Sequence, residues 1–355
     1  MANNPRERPQ RNIPIDEPDS ISFMISAVPS AQTITVVVSK GQSRNPEKRG
    51  LEQALAQQAG KIDGVRVIVV PHLYDLPRNS DSYRELAEVQ GDLIIASWIF
   101  PRAAHWVLDR NQIRGRYQEF LADDDASGDA EPVTTTSSTD ADEPTRVTEL
   151  HPRPDRVIHC VDLKTGNDVG RYVDGIRELI GRTHPESAGL PIVGGKIVEV
   201  DEPTKRRWYP VIDFDRCTNC MECIDFCLFG VYGVDGAETI LVEQPDNCRK
   251  GCPACSRVCP ENAIIFPQHK APAIAGAPTD GDEGFKIDLS QLFGAPAKGD
   301  DPIATAARER DEQLLLAGRD AVGIDDQLRR RQSDLENQPK DRLDNLIDAL
   351  DDMDL

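Results

Sequence analysis

CTNCMECIDFC at 217–227 and CRKGCPACSRVCP at 248–260 together hold eight of the nine cysteines in the chain. The first run is spaced Cys217-x2-Cys220-x2-Cys223-x3-Cys227. The second is spaced Cys248-x3-Cys252-x2-Cys255-x3-Cys259, with Pro260 directly after it. A Cys-x2-Cys-x2-Cys loop curls its backbone around one cubane, so that three thiolates meet three irons. The fourth cysteine, three residues further on, points away and completes the other cluster. Two such runs imply two [4Fe–4S] clusters, and with them electron transfer.

Zinc ribbons and disulfide frameworks are the competing readings. A ribbon uses two Cys-x2-Cys knuckles and a long spacer, four ligands in all. Here four cysteines fall within eleven residues, and four more within twelve. A disulfide framework belongs to an oxidising compartment and an even cysteine count. This chain has nine cysteines, and its opening residues MANNPRER carry no apolar signal core. Iron–sulfur ligation is therefore the expectation, in the reducing cytoplasm.

The residues CTNCMECIDFC (217–227) and CRKGCPACSRVCPENAI (248–264) resemble the bacterial two-cluster ferredoxins. The likeness covers about residues 205–270, and the family implies a small α+β fold with a pseudo-twofold axis. It also implies a ligand set. Cys217, Cys220, Cys223 and Cys259 would hold one cluster, and Cys248, Cys252, Cys255 and Cys227 the other. Two positions depart from the family pattern. Arg249-Lys250-Gly251 puts three residues where the family has two, and Gly251 is expected to absorb the extra one at positive φ. Leu228 stands where a proline usually opens a helix. Neither departure removes a ligand.

The duplication is also legible directly. Asp215-Arg216-Cys217 and Asp246-Asn247-Cys248 open the two loops in parallel. Each loop lies between short apolar runs: 211–214 and 231–234, then 239–242 and 263–266. Asp235-Gly236 reads as a hairpin turn. Two β-ribbons and two short helices follow, around a core expected to be mostly inorganic.

The 355 residues leave room for two or three domains. No apolar run approaches the roughly 20 residues of a membrane helix. The net charge of −20 lies almost wholly in 122–149 and 271–355, which argues against nucleic-acid binding. Residues 1–19, the acidic insertion 122–149 and most of the tail 271–355 read as disordered. Between residues 20 and 200, β-branched runs alternate with helical patterns. Strands are expected at 33–38, 65–70, 92–98 and 156–161, and helices at 47–58, 82–89, 101–109 and 169–180. Near-continuous apolar strands separated by helices imply a parallel sheet covered on both faces, an α/β domain of flavodoxin-like shape.

In such folds ligands sit beyond the carboxyl ends of the strands. The residues there are Lys40-Gly41-Gln42-Ser43-Arg44, His72, Trp98, Arg102 and His105. The first loop matches neither Gly-x-Gly-x-x-Gly nor the Walker pattern, and reads as an ordinary strand-to-helix turn. VVVSKGQSR (36–44) is similar to the first loop of sirohydrochlorin chelatases, which use a histidine where this chain has Lys40. Cys160, inside a strand, reads as a buried thiol. In the tail, 304–317 is helical. Arg342–Met353 places Leu343, Leu346, Ile347 and Leu350 on one face, a helix able to dock on a partner. Arg329-Arg330-Arg331 reads as a solvated face. The expected function is an electron carrier that serves redox protein partners. The alternative is a redox enzyme whose α/β domain binds a flavin or tetrapyrrole.

Overall fold

The computed structural model describes residues 34–120, 145–150, 153–183, 197–278 and 302–323. The expected N-terminal segment 1–19, most of the acidic insertion, the Arg329-Arg330-Arg331 run and the helix at 342–353 lie outside these residues.

Six strands form one sheet: β1 (Ile34–Ser39), β2 (Val65–Val70), β3 (Leu93–Ser97), β4 (Arg116–Glu119), β5 (Val157–Asp162) and β6 (Ile197–Glu199). Their order is β4-β5-β3-β1-β2-β6, and every neighbouring pair is parallel. The inner strands β2-β1-β3-β5 are the ones the β-branched runs announce. The two edges are not announced. β4 is exposed along its whole length and β6 for the most part, so neither carries an apolar pattern.

The helices start where local chemistry provides a cap. In α1 (Pro46–Ala59) proline occupies the first turn and Asn45 Oδ1 accepts from the Glu47 N–H at 2.9 Å. In α2 (Asp81–Ala87) Ser80 Oγ accepts from Tyr83 N–H at 3.1 Å. α3 (Pro101–Arg110) also opens on a proline, and it is buried along all but its last residue. α4 (Val147–Leu150) is a single turn, and α5 (Val169–Thr183) packs beside α1.

One face of the sheet lies under α1 and α5, where Val36, Val38 and Val67 meet Leu51, Leu55, Tyr172 and Ile176. The other face is covered by α2, by α3 and by the cysteine-rich segment. That segment contains β7 (Val211–Ile212), α6 (Glu222–Phe226), β8 (Tyr232–Val234), β9 (Ile240–Val242), α7 (Ala254–Val258), β10 (Ile264–Ile265) and α8 (Pro272–Ala275). β8 pairs antiparallel with β9, and β7 with β10, giving the two expected ribbons.

Tyr209, Val211 and Ile265 belong to the same buried cluster as Val37, Ile68 and Ile95 of the sheet. The segment is therefore less dependent on an inorganic core than its composition suggests, because it borrows a sheet face to bury its own apolar residues. Each such side chain contributes about 1.5–3 kcal/mol when fully buried. Tyr74 and Tyr209 stack at 4.3 Å between ring centroids and exchange hydrogen bonds. Arg102 of α3 reaches Asp213 at 2.5 Å and the Asn262 carbonyl at 2.6 Å, in a buried junction.

One stretch read as part of the disordered insertion, and one tail helix read from its pattern, are docked on the cysteine-rich segment. Residues 145–149, the end of the expected insertion, pack on the cysteine-rich segment. Val147 is buried there, its N–H donates to the Cys217 carbonyl at 2.9 Å, and Arg146 bonds Glu261. α9 (Pro302–Leu316), in the acidic tail, lies against α7 with Ala306 and Ala307 buried beside Cys252 and Ala254. No described helix is long and apolar enough to cross a membrane.

Candidate metal centre

The first cysteine loop is wound by local backbone conformation. Asn219 and Met221 both take left-handed φ, at 60° and 64°, which alternates the chain tightly between Cys217 and Cys223. Asparagine tolerates this conformation better than most residues, and Asn219 also fixes the loop. Its Oδ1 accepts from Ile240 N–H at 2.9 Å, and its side-chain amide donates to the Glu238 carbonyl at 2.9 Å. In the second loop Gly251 stands at φ 89°, and Cys252 N–H closes a turn onto the Arg249 carbonyl at 3.0 Å. The added residue is absorbed there by glycine, as the sequence implies. The β8–β9 connection is longer than a two-residue turn. Asp235 Oδ1 collects the Ala237 and Thr239 N–H groups, and Glu238 takes the left-handed position.

None of the nine cysteines forms a disulfide. Cys160 is fully buried in the sheet core, where burial raises its pKa strongly, so it is an inert hydrophobe. Burial is also the main cause of the raised pKa values in the cysteine loops. It pushes Cys217 and Cys252 up to about 11, and raises Cys223, Cys248, Cys255 and Cys259 as well. After burial, these thiols feel each other's charge in two sets. Cys217, Cys220, Cys223 and Cys259 form one. Cys227, Cys248, Cys252 and Cys255 form the other.

The donors present suit thiolates bound to metal. Cys217 Sγ accepts from Asn219 N–H at 3.5 Å and Cys259 Sγ from Ala263 N–H at 3.2 Å. Tyr232 Oη donates to Cys255 Sγ at 3.1 Å. Hydrogen bonds of this kind stabilise sulfur ligands and set cluster potentials. Cys227, Cys248, Cys252 and Cys255 line one small apolar cavity with Phe226 and Tyr232. Among the described residues, no three His, Cys, Asp or Glu side chains converge on a single metal ion. A four-iron cluster asks instead for four thiolates held apart on different irons, and a dry cavity ringed by four cysteines fits that requirement.

The other candidates disperse. Gly41 N–H donates to Glu52 at 2.7 Å and Trp98 Nε1 donates to the same carboxylate at 2.7 Å. Lys40 pairs with Glu199, and Gln42 bonds Asp75. The polar loop of residues 40–44 thus spends its donors within the fold. His72 faces Asp75 at 3.5 Å. His105 lies inside α3, not on a loop, and meets Arg153 and Trp106. Arg102 serves the junction with Asp213.

A parallel α/β sheet carrying a cysteine-rich ribbon module that is built for iron–sulfur chemistry defines an electron-transfer class of protein. Over 66 residues the chain is 50% identical to an uncharacterized ferredoxin of Methanocaldococcus jannaschii, a stretch covering 18% of this chain and 44% of that relative. It is 33% identical over 70 residues to the pyruvate synthase subunit PorD of the same organism, covering 20% of this chain and 79% of the subunit. It is 36% identical over 55 residues to a ferredoxin of Methanothermococcus thermolithotrophicus, covering 15% and 88%. The chain belongs to the ferredoxin family through this segment, and it is an iron–sulfur protein of the 4Fe–4S, electron-transport kind. It spans less than half the length of the first of these relatives. No family model matches the chain, and no solved structure does.

Proposed function

We propose that the chain carries two [4Fe–4S] clusters and passes single electrons between redox proteins, with the α/β sheet as docking scaffold. Cys217, Cys220, Cys223 and Cys259 would hold one cluster, and Cys227, Cys248, Cys252 and Cys255 the other. The observation that supports this reading is geometric: Cys227, Cys248, Cys252 and Cys255 line one small apolar cavity, and the Cys217, Cys255 and Cys259 sulfurs accept hydrogen bonds at 3.5, 3.1 and 3.2 Å. Each cluster would supply one-electron chemistry, while the protein supplies burial and the hydrogen bonds to sulfur that tune it. Such clusters call for a reducing compartment, and the reading includes the cytoplasm on that ground. The name of one relative, a pyruvate synthase subunit, supports a redox enzyme as partner. A carrier is favoured over an enzyme because the polar groups beyond β1 and β2 are engaged with one another.

One experiment tests both stoichiometry and ligation. Anaerobically reconstituted protein is expected to hold about eight iron and eight sulfide per chain. Cys227→Ser should disturb the same paramagnetic centre as Cys252→Ser, and Cys259→Ser the same centre as Cys220→Ser. Stoichiometric zinc without sulfide would end the reading. Grouping of Cys227→Ser with Cys220→Ser would end the crossed assignment.

A further inference from the structure

A cavity of about 380 Å³ opens where α3, residues 147–148 and the β8–β9 hairpin meet. Its walls are of two kinds. Ile212, Phe214 and Ile240 supply apolar surface, whereas Arg78, Arg110, Arg114 and Arg153 supply positive charge, against Asp109 and Asp235. Arg153 is already engaged by His105, Asp109 and Asp215. The other three arginines close no salt bridge among the described residues, although Asp109 feels Arg114. Arg110 rests on the Tyr209 ring at 4.9 Å, feels Arg78 and Arg207 as like charges, and has a buried Nε with no hydrogen-bond partner. The buried Arg110 Nε is costly unless an acceptor joins it, because a buried donor left unmet loses its hydration without replacement, while the exposed Arg78 and Arg114 add positive charge along the same cavity. The volume is that of a small-molecule site and the mixed lining is typical of one.

We propose that this cavity binds a small organic anion: phosphate or carboxylate groups on an apolar or planar body, held by Arg78, Arg110 and Arg114. Guanidinium forks match both anion types bidentately. The site adjoins the first cysteine loop. Val147 of its wall bonds the Cys217 carbonyl, and Ile240 bonds Asn219, whose own N–H meets Cys217 Sγ. A ligand here would lie beside that loop, but its binding does not depend on how the clusters are ligated.

The test is calorimetric titration of the full, anaerobically reconstituted chain with four probes: inorganic phosphate, citrate, ADP and uncharged adenosine. Saturable binding of ADP or citrate is expected, with adenosine silent. Preference between the two anions distinguishes phosphate from carboxylate recognition. Arg78→Gln and Arg114→Gln, both at exposed positions, should each weaken binding about tenfold, as loss of a charged hydrogen bond does, and Arg110→Met by at least as much. Lys48→Gln, remote from the cavity, should leave affinity unchanged. Absence of saturable binding by all anionic probes below about 1 mM, the weak end of specific affinity, would overturn the proposal. So would binding that neither exposed arginine variant alters, or weaker binding in Lys48→Gln alone.

Discussion

At the scale of single residues, the sequence identifies the reactive groups better than their surroundings. Gly251 takes the positive φ that the extra residue in its loop implies. His105 departs from its reading: it was expected among the ligand-facing residues beyond the third strand, yet it is buried in α3 beside Arg153. Arginine cannot accept a hydrogen bond, so the Nε2 facing Arg153 at 3.2 Å is the bare nitrogen of a neutral ring. Burial, with Arg153 adding to it, pushes the His105 pKa down to about 3. The unfolded chain takes up this proton near pH 6.5, whereas the folded chain refuses it until about pH 3. Stability from this group is therefore complete above 6.5 and falls as the pH drops below it, by about 1.4 kcal/mol per pH unit. His105→Gln should flatten the decline in denaturation midpoint between pH 7.5 and 5.5. An unchanged slope would show that His105 titrates normally.

At the scale of elements, the four inner strands and their helices were legible because β-branched runs and proline starts are local signals. β4 and β6 were not, since edge strands with exposed side chains leave no pattern. α9 was visible as a helix but not as a cover. Arg257 grips Glu309 through two hydrogen bonds of 2.8 and 2.9 Å, Arg310 stacks over Phe226, and Arg319 bonds the Leu228 carbonyl. These contacts place α9 over the loop containing Cys252. Glu309→Ala leaves a nearly buried guanidinium unpaired and should loosen the helix by about 1.5–3 kcal/mol. In air, the centre that Cys252→Ser disturbs should then bleach severalfold faster than in the parent protein, while the other centre keeps its rate. Equal bleaching of both centres would show that α9 shields neither.

At the scale of the whole molecule, the ribbon module and the sheet share one core, and the Arg102–Asp213 pair sits at their junction. Asp213 also accepts the Asp215 and Arg216 N–H groups, so it anchors the start of the first cysteine loop. Arg102→Met takes from that buried carboxylate its short guanidinium bond, leaving Arg216 at 3.7 Å and the two N–H groups, and should cost about 1.5–3 kcal/mol. In the parent protein, loss of cluster absorbance and loss of helical circular dichroism are expected to coincide on denaturation, as they do for one cooperative unit. Arg102→Met should lower that midpoint and separate the two transitions. Two separate transitions in the parent protein would mean that sheet and module fold independently.

The sequence by itself determined the chemistry and the local frame: thiolate spacing, the tolerance of Gly251 for positive φ, the alternation of strand and helix. These are properties of short stretches, and short stretches carry them whatever surrounds them. The tertiary structure alone decided that residues 145–149 and α9 fold onto the cysteine loops, and that arginines distant in sequence gather around a single cavity. These outcomes depend on which apolar faces meet when the sheet, α3 and the ribbons bury their surfaces together, and no window of sequence contains that competition.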